Sequence, residues 1–313
     1  ININDEEIIK TAKDYAVAPI MILRSLADNP LEEIDMIHYL LTNTVVQDRL
    51  ISNLISLLDR KGYYGVNFTA HYIEPQDRPL YTEFIRKLST RLRTEGFRVF
   101  VTLSYNVFEV SVNVDYEDLH LELLENYVDG ITMISYEWGI TNVSPSVLAY
   151  DTVSNLLKTI TSRISPEELN FGISTIDYVW RLPYIEGVTM RQAITYDSAI
   201  ELARENNARI HYDEVTKTSY FQYFSDFEYI VRFRDARGID ATLVLVSQYG
   251  INGIGVWNIM YFFDQMWLVI NSQYVIEKVL PLRVQYDIST LNTEDFDYGS
   301  YYCRYPDVFR YNN

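Results

Sequence analysis

Cysteine is nearly absent: Cys303 is the only one in 313 residues. No intrachain disulfide can form, so cysteine usage leaves the compartment open. An unpaired thiol in an exported chain can cross-link neighbours, although a buried thiol is the commoner case. Basic residues are scarce as well, 26 against 43 acidic ones, for a formal net charge of −17. Such a surface repels nucleic acid and anionic lipid and argues against both as partners. No stretch approaches 18 uninterrupted apolar residues, so membrane insertion of a helix is not expected. There are four histidines, and no His/Cys/Asp group has metal-ligand spacing, so neither a metal nor another cofactor is expected. No G-x-G-x-x-G or P-loop sequence is present. Low-complexity linkers and internal repeats are lacking. The sequence opens at Ile1 without Met or a signal-peptide pattern, which reads as a processed form or a fragment.

What is abundant is apolar and aromatic. Hydrophobic residues make up 48% of the chain, which places it among globular proteins. Its length allows either one elaborated domain or two. There are 27 Tyr, 14 Phe and 4 Trp. Tyrosine offers a flat apolar face with a polar tip, which suits sugar-binding clefts and protein interfaces alike. An AT-rich genome would give the same bias.

Strand-like and helix-like patterns alternate along the chain. Val17–Leu23, Gly65–Ala70, Arg98–Ser104, Gly130–Tyr136 and Leu169–Ser174 read as strands. Between them Thr44–Gly62, Arg78–Gly96, Tyr116–Val128 and Val153–Ile164 have helical spacing, two of them ending in Gly. Repeated βα units imply a parallel sheet with helices packed outside it. Their regular length favours a closed (β/α)8 barrel, with a doubly wound open sheet as the alternative. The pattern then changes. Ile194–Asn207 reads as a helix, followed by short strands at His211–Asp213, Tyr220–Phe224 and Tyr229–Arg234. After this small α+β insertion come a helix at Ala236–Gly250, a strand at Gly253–Asn258 and a helix at Phe262–Tyr274. The expected division is 1–183 for the first part of the barrel, 184–235 for the insertion, 236–278 for the last part and 279–313 for a C-terminal tail. The tail holds two strand-like stretches, Leu282–Asp287 and Tyr301–Arg304.

Several segments together resemble the family 18 glycoside hydrolases. Gly62–Tyr72 reads GYYGVNFTAHY, beside that family's D-x-x-D-x-D-x-E strand, often GYDGINIDFEY. The family's four acidic positions fall on Tyr64, Asn67, Thr69 and His71, while the frame of Gly62, Tyr63, Gly65, Asn67 and Tyr72 is kept. MISYEWG at Met133–Gly139 and GIGVW at Gly253–Trp257 are similar to two further strand ends of the family. NDEEIIKTAK, WRLP and HYDEVTKTSYFQY fit its branch of spore-associated N-acetylglucosaminidases. The resemblance spans about Asn4–Val275. It implies a (β/α)8 barrel whose first two strands are missing at the N-terminus, and a location at a bacterial spore surface or coat, or outside the cell.

The resemblance also implies that the chemistry is lost. In such enzymes a Glu protonates the glycosidic oxygen, and a neighbouring Asp orients the substrate's acetamido group for attack on the anomeric carbon. Here the acid position is His71 and its partner is Thr69. Histidine can donate a proton near neutral pH, but Thr69 supplies no charge, and Tyr64 removes a further carboxylate. Strand alternation places Asn67, Thr69 and His71 on one face, toward the barrel interior, and Val66, Phe68 and Ala70 on the other. Glu74 and Asp77 follow in the loop, and Glu74 is the one candidate for rescue of the acid. Tyr136, Glu137, Trp138 and Trp257 match positions that hold the sugar ring. His38, His120 and His211 lie in different predicted elements and stay unassigned.

The expected function is thus a catalytically inactive barrel with a structural or glycan-binding role, N-acetylglucosamine-containing glycan being the candidate ligand. The alternative is an active N-acetylglucosaminidase on spore-cortex peptidoglycan or chitin-like glycans. The tail is expected to fill the two vacant strand positions, in cis as a permuted barrel or in trans as a homo-oligomer or filament.

Overall fold

The computed structural model describes residues 4–24, 30–70, 73–104, 121–134, 150–185, 188–276 and 278. The chain opens with α1 (Glu6–Asp14) and β1 (Ile20–Arg24), followed by α2 (Pro30–Thr42) and α3 (Thr44–Lys61). Then come β2 (Gly65–Ala70), α4 (Arg78–Thr94), β3 (Arg98–Ser104), α5 (Leu121–Leu124), β4 (Ile131–Ile134), α6 (Tyr150–Thr161) and β5 (Leu169–Ser174). The insertion comprises β6 (Ile176–Arg181), β7 (Arg191–Thr195), α7 (Tyr196–Glu205), β8 (His211–Asp213), β9 (Thr218–Phe224) and β10 (Glu228–Phe233). The chain returns through α8 (Ala236–Gln248), β11 (Gly253–Trp257) and α9 (Asp264–Gln273).

Six strands form one parallel sheet in the order β1-β2-β3-β4-β5-β11, and helices intervene between them, as in a (β/α) barrel wall. The open doubly wound alternative does not hold. The five insertion strands make a separate antiparallel sheet in the order β7-β6-β10-β9-β8. That sheet begins at Ile176, inside the stretch that sequence assigned to the first part of the barrel.

Local chemistry explains several boundaries. Asn43 caps α3 by accepting a hydrogen bond from the Val46 N–H at 3.1 Å. The same helix ends at Gly62, whose φ of 76° is left-handed and whose N–H bonds back to the Leu58 carbonyl. Asp235 caps α8 through the N–H groups of Arg237 and Gly238. The strand expected at Val17–Leu23 is displaced to Ile20–Arg24, because the chain turns at Ala16 with φ 58° and Pro19 has no N–H to give the ladder. The Pro19 carbonyl instead accepts from the Tyr64 N–H at 2.7 Å. The helix expected at Ile194–Asn207 begins only at Tyr196, since Ile194 and Thr195 belong to β7 and the Thr195 side chain caps α7.

One large core lies between the parallel strands and their helices. Ile51, Leu54 and Leu58 of α3, Phe84, Leu88 and Leu92 of α4, and Val99, Val101 and Leu103 of β3 are all buried in it. A second core joins α7 to its sheet through Ala199, Ala203, Val179, Phe221, Val231 and Phe233. Asp177 and Arg234, both buried, tie β6 to the start of α8: the Arg234 N–H donates to Asp177 Oδ2 at 2.9 Å, and its guanidinium reaches Oδ1 at 3.3 Å. Burial pushes the Asp177 carboxyl above the ordinary range, and Arg234 opposes that shift. Among the described residues no helix is long and apolar enough to cross a membrane.

Candidate functional site

Strand β2 is two-sided, as its alternation predicts. Phe68 points at α4, with its ring centroid 5.9 Å from that of Tyr81 and 5.5 Å from that of Phe84. Asn67 points the other way. Its amide donates to Thr102 Oγ1 at 2.8 Å, and that hydroxyl donates back to Asn67 Oδ1 at 3.1 Å. Thr69 lies on the Asn67 side, is 1% exposed, and among the described residues its hydroxyl has no hydrogen-bond partner. Glycine is needed at Gly65: a Cβ there would lie 2.2 Å from the Arg98 carbonyl oxygen. The family-like frame around the motif therefore has a packing reason of its own.

The strand register completes the surroundings. Thr69 is level with Arg24 on β1 and with Thr102 on β3. Arg24, an exposed residue, is thus level with Thr69 in the backbone, a relationship that sequence alone did not single out. Tyr64 is five residues earlier, before the strand begins, so it lies about 16 Å from Thr69 at the usual rise of an extended chain. Its side chain hydrogen-bonds Arg98. The structure therefore brings Asn67 and Thr69 together and sets Tyr64 at the opposite end of the strand. His71 lies outside the described residues, as do Tyr136, Glu137 and Trp138.

Across the sheet, Trp257 ends β11 level with Ser174 of β5. It is 39% exposed. Thr175 holds its backbone: the Thr175 N–H donates to the Trp257 carbonyl at 2.6 Å, and the Thr175 hydroxyl both accepts from the Asn258 N–H at 2.8 Å and donates to the Asn258 carbonyl at 2.7 Å. The Ile134 side chain occupies the space over Gly172, where a Cβ would meet it at 2.6 Å. The C-terminal ends of the strands, where barrel sites lie, thus present polar Asn67 and Thr69 at one side and an aromatic ring at the other.

Two further groups line the loops. Asp77, buried, accepts from His38 Nδ1 with both oxygens, at 2.9 and 3.0 Å, tying α2 to the start of α4. Sequence left His38 unassigned because the histidines lie in different predicted elements; its partner is thirty-nine residues away. Glu74 is half-buried in the same loop and accepts from Gln76. In the insertion, Tyr178 and Trp180 share the face of the sheet away from α7 with Ile230. The Arg191 guanidinium lies 4.2 Å from the Tyr178 ring, and burial raises the Tyr178 hydroxyl and lowers Arg191. Trp180 is fully buried and offers no stacking surface. No group of three or more potential metal ligands occurs among the described residues.

Comparison with known proteins agrees with this architecture. The chain is 27% identical over 262 residues to the cortical fragment-lytic enzyme of Bacillus subtilis (strain 168), covering 82% of this chain and 60% of that protein. It is 26% identical over 263 residues to the cortical fragment-lytic enzyme of Bacillus anthracis, covering 83% and 61%. The chain therefore spans about three fifths of the length of these curated relatives. Among solved structures, the Bacillus cereus spore cortex-lytic enzyme SleL superposes with a TM-score of 0.79 at 24% identity, over 89% of this chain and 64% of that one. A chitinase-like agglutinin from Robinia pseudoacacia superposes with a TM-score of 0.68 at 15% identity, over 86% and 85%. These two likenesses show the fold. Residues 38–261 match the model of the glycosyl hydrolases family 18, and the chain belongs to that family.

Proposed function

We propose that this family 18 domain binds N-acetylglucosamine-containing glycan, of the kind found in spore-cortex peptidoglycan, at the C-terminal ends of its parallel strands. The ligand class rests on the lytic relatives. The observation that carries the site is Trp257, partly exposed at a strand end and braced by Thr175. An aromatic face of this kind contributes stacking and apolar area to a sugar ring. Tyr136, Glu137 and Trp138 are the sequence's further candidates for the same ring. On this reading the domain acts at the spore cortex or coat.

Turnover by the family's own route is not supported by the residues of β2. Neutral Thr69, buried, occupies one of the family's acidic positions, and Tyr64, at the far end of the strand, occupies another. Isothermal calorimetry with N-acetylglucosamine oligomers tests the binding reading. Affinity no tighter than roughly micromolar is expected, because stacking acts without charged anchors. Trp257→Ala should abolish it. Unchanged binding in that variant, or no binding by the intact chain, overturns the site.

A second reading has its own support. The named relatives are lytic enzymes, and on that ground the comparisons favour hydrolysis of peptidoglycan over a purely structural role. An active N-acetylglucosaminidase would need an acid other than the usual Glu, either His71 at that position or Glu74 in the loop beyond it. Release of new reducing ends from cortex fragments, lost in Glu74→Gln or His71→Ala, would establish it.

A further inference from the structure

We propose that the insertion carries a second binding site, a pocket at the outer end of β6 that takes the carboxyl-terminal end of a short apolar peptide. The pocket has a volume of about 470 Å³ and lies between the β6–β7 connection and the β9–β10 turn. Val179, Pro183, Ile185, Val188 and Met190 supply its aliphatic walls. It opens on the α7 face of the sheet: Val179 packs with α7 in the second core, and Arg181 follows two residues on. Gln192 stands level with Val179, and Tyr229 with Arg181. Among the described residues no α7 side chain lines it, and Val188 and Met190 at its mouth are 66% and 77% exposed. Clustered exposed apolar side chains of this kind mark a contact surface. β6 starts one residue after Thr175, which puts Arg181 about 20 Å from the brace of Trp257 at the usual rise of a strand. The pocket is therefore separate from the strand-end site. Every side chain named here is among the described residues; the expected tail strands, Leu282–Asp287 and Tyr301–Arg304, lie outside them.

Charge complementarity selects the ligand. Both walls are braced by their own hydrogen bonds. In the β6–β7 connection the Thr189 N–H donates to the Ile185 carbonyl, and the Ile185 N–H donates to Thr189 Oγ1, each at 2.8 Å. In the β9–β10 turn Asp226 Oδ1 accepts from the Phe227 N–H at 3.1 Å and from the Tyr229 hydroxyl at 3.0 Å, so Asp226 is committed to its own turn. Arg181 is not. Its guanidinium lies over the Phe227 ring, 3.2 Å from the centroid, and among the described residues no carboxylate or carbonyl accepts a hydrogen bond from it. A stacked guanidinium keeps its in-plane N–H groups, a fork that fits a carboxylate. In a chain of net charge −17 carboxylates are plentiful, yet none is set against this cation. Free donors beside aliphatic walls complement a carboxylate with an apolar side chain next to it, which is the end of a peptide. A sugar ring would call for an open aromatic face and partners for several hydroxyls, whereas the Phe227 ring already carries Arg181. Peptidoglycan bears short peptides of this kind, and only in naming that source does the proposal rest on the glycan reading above.

Methyl NMR of the full chain, titrated with N-acetyl-alanyl-alanine, tests this. The methyl signals of Val179, Val188 and Met190 should shift. The same peptide with its carboxyl group amidated should bind about tenfold more weakly or worse, because the charged hydrogen bonds to Arg181 are gone. That comparison leaves the protein unchanged and does not depend on a variant folding. Arg181→Gln should cause a similar loss and leave glycan binding at Trp257 unaltered. Absence of shifts in the pocket overturns the proposal, and so does equal affinity for the acid and the amide. Pocket shifts produced by N-acetylglucosamine oligomers and not by the peptide overturn it in favour of a sugar. Shifts that appear on raising the protein concentration alone overturn it in favour of a second copy of the chain. Peptide binding in a chain that binds no glycan supports this pocket and overturns only the strand-end glycan site.

Discussion

Asn67 and Thr102 exchange hydrogen bonds across neighbouring strands, at 2.8 and 3.1 Å. Each therefore satisfies the other, and the pair is neutral at every pH of interest. A carboxylate at 67 would accept from Thr102 but could not donate, and it would bring charge into a partly buried site. The motif strand of this chain is thus packed as a neutral structure.

The expectation for activity rests on Tyr64, Thr69 and His71, which stand where the resembled strand carries carboxyl groups. Chitooligosaccharides and cortex peptidoglycan should release no product above a buffer blank. Installing carboxyls with Thr69→Asp and His71→Glu together should not create turnover either. Residue 69 is buried, and burial disfavours the ionised form of a carboxyl placed there. Chromatography of reaction products reads the result, and any turnover by the double variant refutes the argument.

Thr69 itself carries a stability prediction. Among the described residues its hydroxyl is buried without a hydrogen-bond partner, a condition that costs about 1–3 kcal/mol. Thr69→Val keeps the shape and removes the unpaired group. The variant should gain about 1 kcal/mol and melt roughly 2 °C higher, as followed by calorimetry. A loss of stability would mean that the hydroxyl serves a contact in the site.

Asp177 should behave in the opposite way. Asp177→Asn keeps the volume of the side chain but leaves the buried Arg234 guanidinium without its carboxylate. Breaking one side of such a pair costs about 3–5 kcal/mol. Urea unfolding should show that loss, with the slope unchanged. Because the pair joins β6 to the start of α8, hydrogen exchange should rise first in the insertion sheet.

The pattern of what sequence revealed follows from where each signal resides. β3 and β5 were legible to the residue, Arg98–Ser104 and Leu169–Ser174, because each is a compact apolar run flanked by polar or turn residues. α2 was not: Met36 and Tyr39 are exposed while Ile37 and Leu41 are buried, so apolar residues occupy two faces and blur the period. The end of β7 was read into the following helix because the strand runs directly into α7 at a junction that only the Thr195 cap reveals. At the site, the facing of Asn67 and Thr69 could be read from alternation. Arg24, Thr102 and Thr175 could not. Their roles come from strand register and from contacts such as Thr175 to Asn258, eighty-three residues apart. Tyr64, grouped with the motif by spacing, belongs to the far end of the strand.

The last prediction concerns pH and the base of the sheet. Asp5, at the start of α1, accepts from the Tyr63 hydroxyl at 2.6 Å and from the Lys61 ammonium. Those hydrogen bonds, Lys61 first and Tyr63 second, hold the Asp5 carboxyl below its ordinary value of 3.8. Its contribution is therefore present above that value and is lost as pH falls through the lower folded one. Tyr63 titrates in the other direction. Burial first, and then the Asp5 carboxylate, push its hydroxyl up from 10.0 to about 12. The unfolded chain releases that proton near pH 10 while the folded chain holds it to about 12. The stability tied to Tyr63 is thus full below pH 10 and declines as pH rises through about 12. Denaturant titrations at stepped pH should show this alkaline decline in the wild type and a shallower one in Tyr63→Phe, which has no proton to lose. Lys61→Met should raise the acid limb's midpoint toward the ordinary carboxyl value and leave a Tyr63-dependent decline in the alkaline limb. Identical alkaline slopes for wild type and Tyr63→Phe would show that the Asp5–Tyr63 bond does not couple α1 to the sheet.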